Sequence, residues 1–266
     1  MSRQLCQLLV RTGNRSAYSR NTAGIAATLL LALKAVSASA ETTISVSTGG
    51  AWTHDSDVHL QVPGGTDLVY QDVQWDTEPY KMPPYYGVRV THWFENRPEW
   101  AIAVDFTHAK MISDLEQQVN GSGQRAGTPV NGTELLGDTF SALEFSDGHN
   151  LVTVNAVRRW HPVRDSARPA LKNTFFYVGA GAGVAVPHVE VTMAGSDTQE
   201  FQIAGPAAQF LGGVSVPLGS RFEFLTEYRL TYADLETDLN GGGKLSTEAL
   251  THHLNFGVGF SFSSRQ

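Results

Sequence analysis

Residues able to hold a metal ion or move protons recur in four separate stretches of this sequence. The first pairs His108 with Lys110 and the second holds Glu144, Asp147, His149 and Asn150. The third pairs His188 with Glu190, and the fourth runs from Tyr228, Tyr232 and Asp234 to Glu248, His252 and His253. Two histidines and one carboxylate with open positions make a metal-binding triad, and His108, His188 and Glu190 supply those types. His188 and Glu190, two residues apart, share one face of a strand. Strict alternation from the glycines at 179, 181 and 183 points both outward unless Pro187 marks a bulge, and counting from Asp105 points His108 outward too. Ser141 or Ser146 with His149 and Glu144 has the composition of a hydrolytic set, with no nucleophile motif around it. The only cysteine, Cys6, lies near the N-terminus after Gln4-Leu5, which is not a lipoprotein cleavage box.

The elements that must position these residues follow from composition and period. The chain has 266 residues, 41% hydrophobic and 17% charged, with 26 Gly and 13 Phe. That charged fraction is below the ~25% of an average soluble domain. The net charge of −7 argues against nucleic acid as a partner. The first forty residues have the form of an export signal. Arg3, Arg11, Arg15 and Arg20 precede an apolar run from Ala23 to Leu33, and Ala38-Ser39-Ala40 is an A-x-A site. The reading is therefore a signal peptide over 1–40 and one domain over 41–266. Cleavage before Glu41 leaves 14 basic against 26 acidic residues, a net charge of −12, and no cysteine.

Beyond 40 no stretch sustains a 3.6-residue period, and alternation of period two recurs instead. Ile102, Val104 and Phe106 alternate with Ala101, Ala103, Asp105 and Thr107. Leu254, Phe256, Val258, Phe260 and Phe262 alternate with His253, Asn255, Gly257, Gly259 and Ser261. Eight such strands are predicted, near 42–53, 84–94, 100–107, 143–160, 174–191, 201–218, 221–235 and 250–262. Tight turns at 95–98 and 217–220 contrast with longer connections at 54–83, 111–142, 192–200 and 236–248. An even strand number with short turns at one end and long loops at the other predicts an all-β, eight-stranded antiparallel transmembrane barrel of the bacterial outer membrane. Phe94, Trp100, Trp160, Phe176, Phe222 and Phe262 then form an aromatic girdle at the short-turn end. The lumen receives Arg89, Asp105, Thr107, Asn155, Arg159, Gln209, Glu223, Glu227, Arg229, His253 and Asn255. Eight strands leave room for side chains only, so these opposite charges predict a salt-bridged plug rather than a pore.

Several segments together carry a family resemblance: Asp105-Phe-Thr-His-Ala-Lys110, Glu144-Phe-Ser-Asp-Gly-His-Asn150, Asn155-Ala-Val-Arg-Arg-Trp160 and Val186-Pro-His-Val-Glu190, with Glu227-Tyr228 and Asp238-Leu-Asn-Gly-Gly-Gly243. The set, spread over 84–262, resembles the lipid A oxidase family of Gram-negative outer-membrane barrels. The resemblance implies an enzyme that oxidises the proximal glucosamine of 1-dephosphorylated lipid A to 2-aminogluconate, using O2 and releasing H2O2. Its substrate and partner is the lipid A of lipopolysaccharide. Two electrons must leave a hemiacetal carbon, and the chain has no cysteine pair, flavin motif or dinucleotide motif, so O2 is expected to act with a bound divalent or redox metal ion. Chemistry and position assign the metal to His108, His188 and Glu190. They assign catalysis to Glu144, Asp147, His149, Asn150 and Tyr228, with Glu144 or Asp147 as base on the anomeric hydroxyl. Lys110 and His253 are assigned to substrate contacts. Two alternatives stand beside this reading: a lipid A acyl-modifying enzyme, and a non-enzymatic OmpA-like barrel with a structural or interaction role. The oligomeric state is not legible in the sequence.

Overall fold

The computed structural model describes residues 41–162 and 173–262. The signal-peptide reading of 1–40, with Cys6, and the basic residues Arg164, Arg168 and Lys172 lie outside the described residues. In chain order the strands are β1 (Glu41–Thr53), β2 (Ser56–Val62), β3 (Thr66–Val73), β4 (Trp75–Asp76), β5 (Tyr86–Phe94), β6 (Arg97–Ser113), β7 (Gln118–Arg125) and β8 (Thr128–Leu135). They continue with β9 (Phe140–Trp160), β10 (Phe175–Ala185), β11 (His188–Met193), β12 (Ser196–Phe201), β13 (Gly205–Pro217), β14 (Phe222–Asp238) and β15 (Lys244–Ser261). The long strands pair in the order β1-β5-β6-β9-β10-β13-β14-β15, and β15 pairs back onto β1. This is a closed ring of eight antiparallel strands.

Closure answers a solvent problem. Hydrocarbon offers no hydrogen bonds, so a sheet can cross a bilayer only without free edges. The outward face agrees. Val46, Ile102, Val104, Val154, Phe210, Phe224, Phe256 and Val258 are all substantially exposed on the outer wall, with Val258 at 48%. A belt of this kind around a closed ring makes the chain a membrane barrel, and its place is the outer membrane. The exposed rings of Phe94, Trp100, Trp160, Phe176, Phe222 and Phe262 border the belt at the short-turn end, as the alternation predicts. Toward the other end the belt finishes at Trp52, Tyr86, Val152, Val184, Tyr232 and Leu250.

The lumen is filled by charge. Arg89 donates to Asp105 at 2.7 Å and to both Glu227 oxygens at 2.5 and 3.1 Å. Arg229 reaches Glu227 at 2.8 Å and Asp105 at 3.3 Å. Asn155 and Gln209 also donate to Asp105. Two cations and two anions thus neutralise one another. Nearer the turns, Arg159 pairs with Glu41 at 2.7 Å and its guanidinium lies over the Trp93 ring at 3.9 Å. A cavity of about 30 Å³ remains beside Arg89, Tyr177 and Glu223, room for a water or two rather than a channel. Alternation turns the glycines of β10 toward the lumen, and β9 approaches so closely that a Cβ on Gly183 would run into the Val152 carbonyl.

Spanning needs about 9–11 residues per strand. β6, β9, β14 and β15 have 17, 21, 17 and 18. Their extra length projects beyond the belt, and there the two faces exchange chemistry. In β14 the inward residues change from Glu223, Glu227 and Arg229 to Ala233 and Leu235. The outward ones change from Phe222, Phe224 and Tyr228 to Asp234 and Glu236. The projecting interior becomes a hydrophobic core of Tyr70, Met111, Phe140, Leu143, Phe145, Leu235 and Leu245, among others.

The long connections are therefore not irregular loops. Segment 54–83 forms β2, β3 and β4, and 111–142 contributes β7, β8 and a single 3-10 turn at Leu136–Asp138. β2 pairs with β15, β3 with β2 and β7, and β8 with β7. The strand predicted over 174–191 is two strands. β10 ends at Ala185 before Val186-Pro187, and β11 leaves β13 to pair with β9 and β12. Proline cannot donate to the ladder, and β10 stops there. The predicted strand over 201–218 likewise begins only at Gly205.

Removing one member of the lumen quartet strands a buried charge. Glu227→Ala leaves Arg89 and Arg229 short of their main partner and is expected to cost about 3–5 kcal/mol. The check is the urea midpoint of the folded, gel-shifted form. A variant as stable as the parent would show that the quartet is not what holds the lumen together.

Candidate functional site

The outward face of β6, β9 and β11, just beyond the lipid belt, collects most of the residues singled out from the sequence. β11 carries His188 and Glu190 on one face and the buried Val189 and Val191 on the other. The apolar pair faces the projecting core, so the polar pair faces out, as strict alternation predicts. His188 Nδ1 lies 3.0 Å from Glu190 Oε1 and 4.0 Å from Asp147 Oδ2. Ser146 Oγ donates to Glu190 Oε1 at 2.8 Å. Asp147, His188 and Glu190 each offer a ligand atom within 4.8 Å of the others. Asp147 is exposed, and His188 and Glu190 are only partly covered. One imidazole and two carboxylates with an open side fit a divalent ion. Glu144, paired across the ladder with Glu190, has its carboxyl pushed above the usual range, first by burial and then by the Glu190 charge.

His108 does not join this set. It stands on the same outer face, but its Nδ1 contacts Asn150 Oδ1 at 2.9 Å and its ring stacks on Tyr86 at 4.9 Å. Burial holds its pKa below the ordinary histidine value. The structure thus gathers one histidine and two carboxylates where spacing suggested two histidines and one. Asn150 holds the neighbourhood together, since its amide also donates to the Val186 carbonyl at 3.2 Å.

Lys110 is buried, and its ammonium donates to the carbonyls of Lys81 and Met82 at 3.0 and 3.3 Å. It ties the 77–85 segment across the outer wall instead of facing a ligand. That segment presents Lys81, with its ammonium 2.9 Å from Glu78, and the highly exposed Tyr80 and Met82. Sequence reasoning missed these three. The Pro83-Pro84 pair just before β5 was the available signal for an ordered connection.

Three other residues lie elsewhere. His149 is beyond Val152 but on the inward face, buried, with neither ring nitrogen hydrogen-bonded, and burial pushes its pKa down to about 4. It therefore stands apart from Ser146 and Glu144, and no hydrolytic set forms. His253 is in the lumen, with Nε2 2.9 Å from Thr231 Oγ1. Tyr228 is on the outer wall three strands around the ring, 2.6 Å from His252 Nδ1.

No family model matches this chain, and no curated protein does. Solved structures with a related arrangement include small outer-membrane barrels. Neisserial surface protein A is 13% identical, covers 84% of this chain and 99% of its own, and has a TM-score of 0.39. AlkL in lipid bilayers is 15% identical, with 86% and 93% covered and a TM-score of 0.42. OprG, an outer membrane protein of Pseudomonas aeruginosa, is 11% identical, with 84% and 96% covered and a TM-score of 0.38. The barrel assignment rests on this chain's own closed ring and apolar belt.

Glu144 generates a pH prediction. An acid whose pKa rises on folding binds more protons folded than unfolded between the two values, so stability falls as pH rises through that window and stays lower above it. Glu144→Gln removes the loss. The variant is expected to unfold at higher denaturant than the parent at neutral pH, with the gain vanishing below about pH 4, where both states are protonated. A gain that does not change with pH would mean that Glu144 carries no such burden.

Proposed function

We propose that this barrel is a lipid A oxidase, acting on the proximal glucosamine of lipid A that lacks its 1-phosphate. One observation carries the reading: the His188, Glu190 and Asp147 cluster lies on the outer wall, and His188 is only four residues past Val184 at the belt's edge. Four residues of extended chain span at most about 13 Å, and a tilted wall makes the height smaller still, which keeps the cluster near the headgroups. A site for a lipid headgroup belongs on that face. The sequence resemblance to lipid A oxidases over 84–262 supports the same substrate.

The reaction removes two electrons and two protons from the anomeric C–H and O–H of the sugar hemiacetal. O2 takes them and becomes H2O2. The resulting lactone opens with water to the 2-aminogluconate, so the net gain is one oxygen atom. Asp147, His188 and Glu190 would hold the divalent ion, and the chemistry it supplies when bound is the passage of electrons to O2. The remaining work falls to this chain's own side chains. Glu144, with its raised proton affinity, takes the proton of the anomeric hydroxyl. Ser146 holds Glu190 in place. Lys81 supplies the cation for a lipid A phosphate, because Lys110 is committed to backbone carbonyls. The exposed Tyr80 and Met82 would offer apolar contact to the lipid.

A second reading has its own support. A charge-filled lumen and a large apolar core beyond the belt would serve a non-enzymatic, stably folded surface barrel equally well.

The test is mass spectrometry of lipid A from a host that lacks the 1-phosphate and expresses this chain. A gain of one oxygen that requires O2 and disappears in His188→Ala and Glu190→Gln is the expected result. A shift by a fatty acyl mass would replace the oxidase with acyl chemistry. Unchanged lipid A, with the barrel folded in the membrane, would favour the non-enzymatic reading.

A further inference from the structure

Away from this cluster, a second group of metal-ligating side chains sits at the edge of the lipid belt. His54 and His252 are 198 residues apart, yet their Nε2 atoms are 2.8 Å from each other. The ladder sets this approach. Trp52 of β1 is the register partner of His252 on β15, and the His54 backbone N–H donates to the Leu250 carbonyl at 2.9 Å. Only Asp55 separates His54 from β2, so the ring hangs from backbone held on both sides. His252 is held from behind: its Nδ1 is 2.6 Å from the Tyr228 hydroxyl. The rings are 4.9 Å apart and tilted by 47°.

Two imidazole nitrogens at this distance share a single proton. One donates an N–H and the other offers its lone pair, and a second proton would set two like charges against each other. A divalent ion removes the conflict by accepting both lone pairs. With each nitrogen about 2.0 Å from a common ion, a 2.8 Å separation subtends roughly 90°, the cis angle of a tetragonal site and well short of tetrahedral. Tyr228 completes the pattern. A ligating histidine ordinarily donates its other ring N–H to an oxygen, which fixes the tautomer and leaves the coordinating nitrogen free.

We propose that His54 and His252 form a bidentate site for a nitrogen-preferring divalent ion of the Cu(II) or Ni(II) class, oriented by Tyr228. The site lies at the height of Trp52, Tyr228 and Tyr232, on the outer surface between β1 and β15. It is independent of the His188 cluster and of the oxidase reading. His54 is exposed and rotates to bring its lone pair onto the ion, while His252 is already set.

The test is titration of the untagged barrel, folded in detergent, with Cu(II) alone. His188→Ala is the background, which removes the only imidazole of the other cluster. Electron paramagnetic resonance should show two imidazole nitrogens on one bound ion. His54→Gln, at an exposed position outside the strands, should keep the fold, reduce the spectrum to a single nitrogen and weaken binding at least tenfold. Tyr228→Phe should retain two nitrogens while weakening binding about tenfold, as loss of an outer-shell partner does. An unchanged affinity and spectrum in His54→Gln would overturn the site. So would a single-nitrogen signal in the parent.

Discussion

A bilayer core contains nothing to which a backbone can hydrogen-bond, and the rest of this structure depends on that. The sheet must close, and β15 pairs with β1 along eleven register positions from Thr43↔Ser261 to Thr53↔Thr251. A ring of eight strands encloses only enough volume for side chains. With apolar residues committed to the lipid side, period two sends the polar ones inward. Charges confined there must neutralise one another, and the two arginines and two acids around Asp105 and Glu227 do so. Lumen packing, strand alternation and the aromatic girdle are consequences of one solvent.

The same argument explains what happens where the lipid ends. Outside the bilayer the outer wall meets water and the interior is shielded from it, so the stable arrangement reverses. β14 and β15 make the change without a break in their pairing, between Arg229 and Ala233 on one strand and between His253 and Ala249 on the other. The apolar interior gives the long connections something to pack against. Tyr70 and Leu68 of β3 and Val58 and Leu60 of β2 are buried there with Phe140 and Phe145. Short strands that would be marginal alone are held by that core and by pairing onto β15 and β7.

The candidate site follows from this reversal. Beyond the belt the outer wall can carry polar groups at no cost in lipid contact. His188, Glu190, Ser146, Asp147 and Glu144 occupy that wall, and the 77–85 segment is tied to Lys110 beside them. A plugged barrel leaves no open lumen for a ligand, and the clustered polar side chains stand on the outer wall instead. The histidine pair between β1 and β15 obeys the same rule at another point of the rim.

By itself the sequence determined the barrel. Period-two alternation in strands such as 100–107 and 250–262 specifies which residues meet lipid, and short turns against long connections specify the polarity of the ring. The lumen residues were legible for the same reason, because parity alone assigns them. The tertiary structure decided where the long connections go, since β2, β3, β7 and β8 owe their form to a core assembled from distant strands, and no local period records that. It also decided the membership of the site. Spacing placed His108, His188 and Glu190 at one end of the barrel. Contact geometry turned His108 to Asn150, brought Asp147 to His188, spent Lys110 on backbone carbonyls and sent His149 inward. Strand parity fixes a face within a few residues, whereas a site is a matter of ångströms between segments tens of residues apart, and only the packed sheet sets those distances.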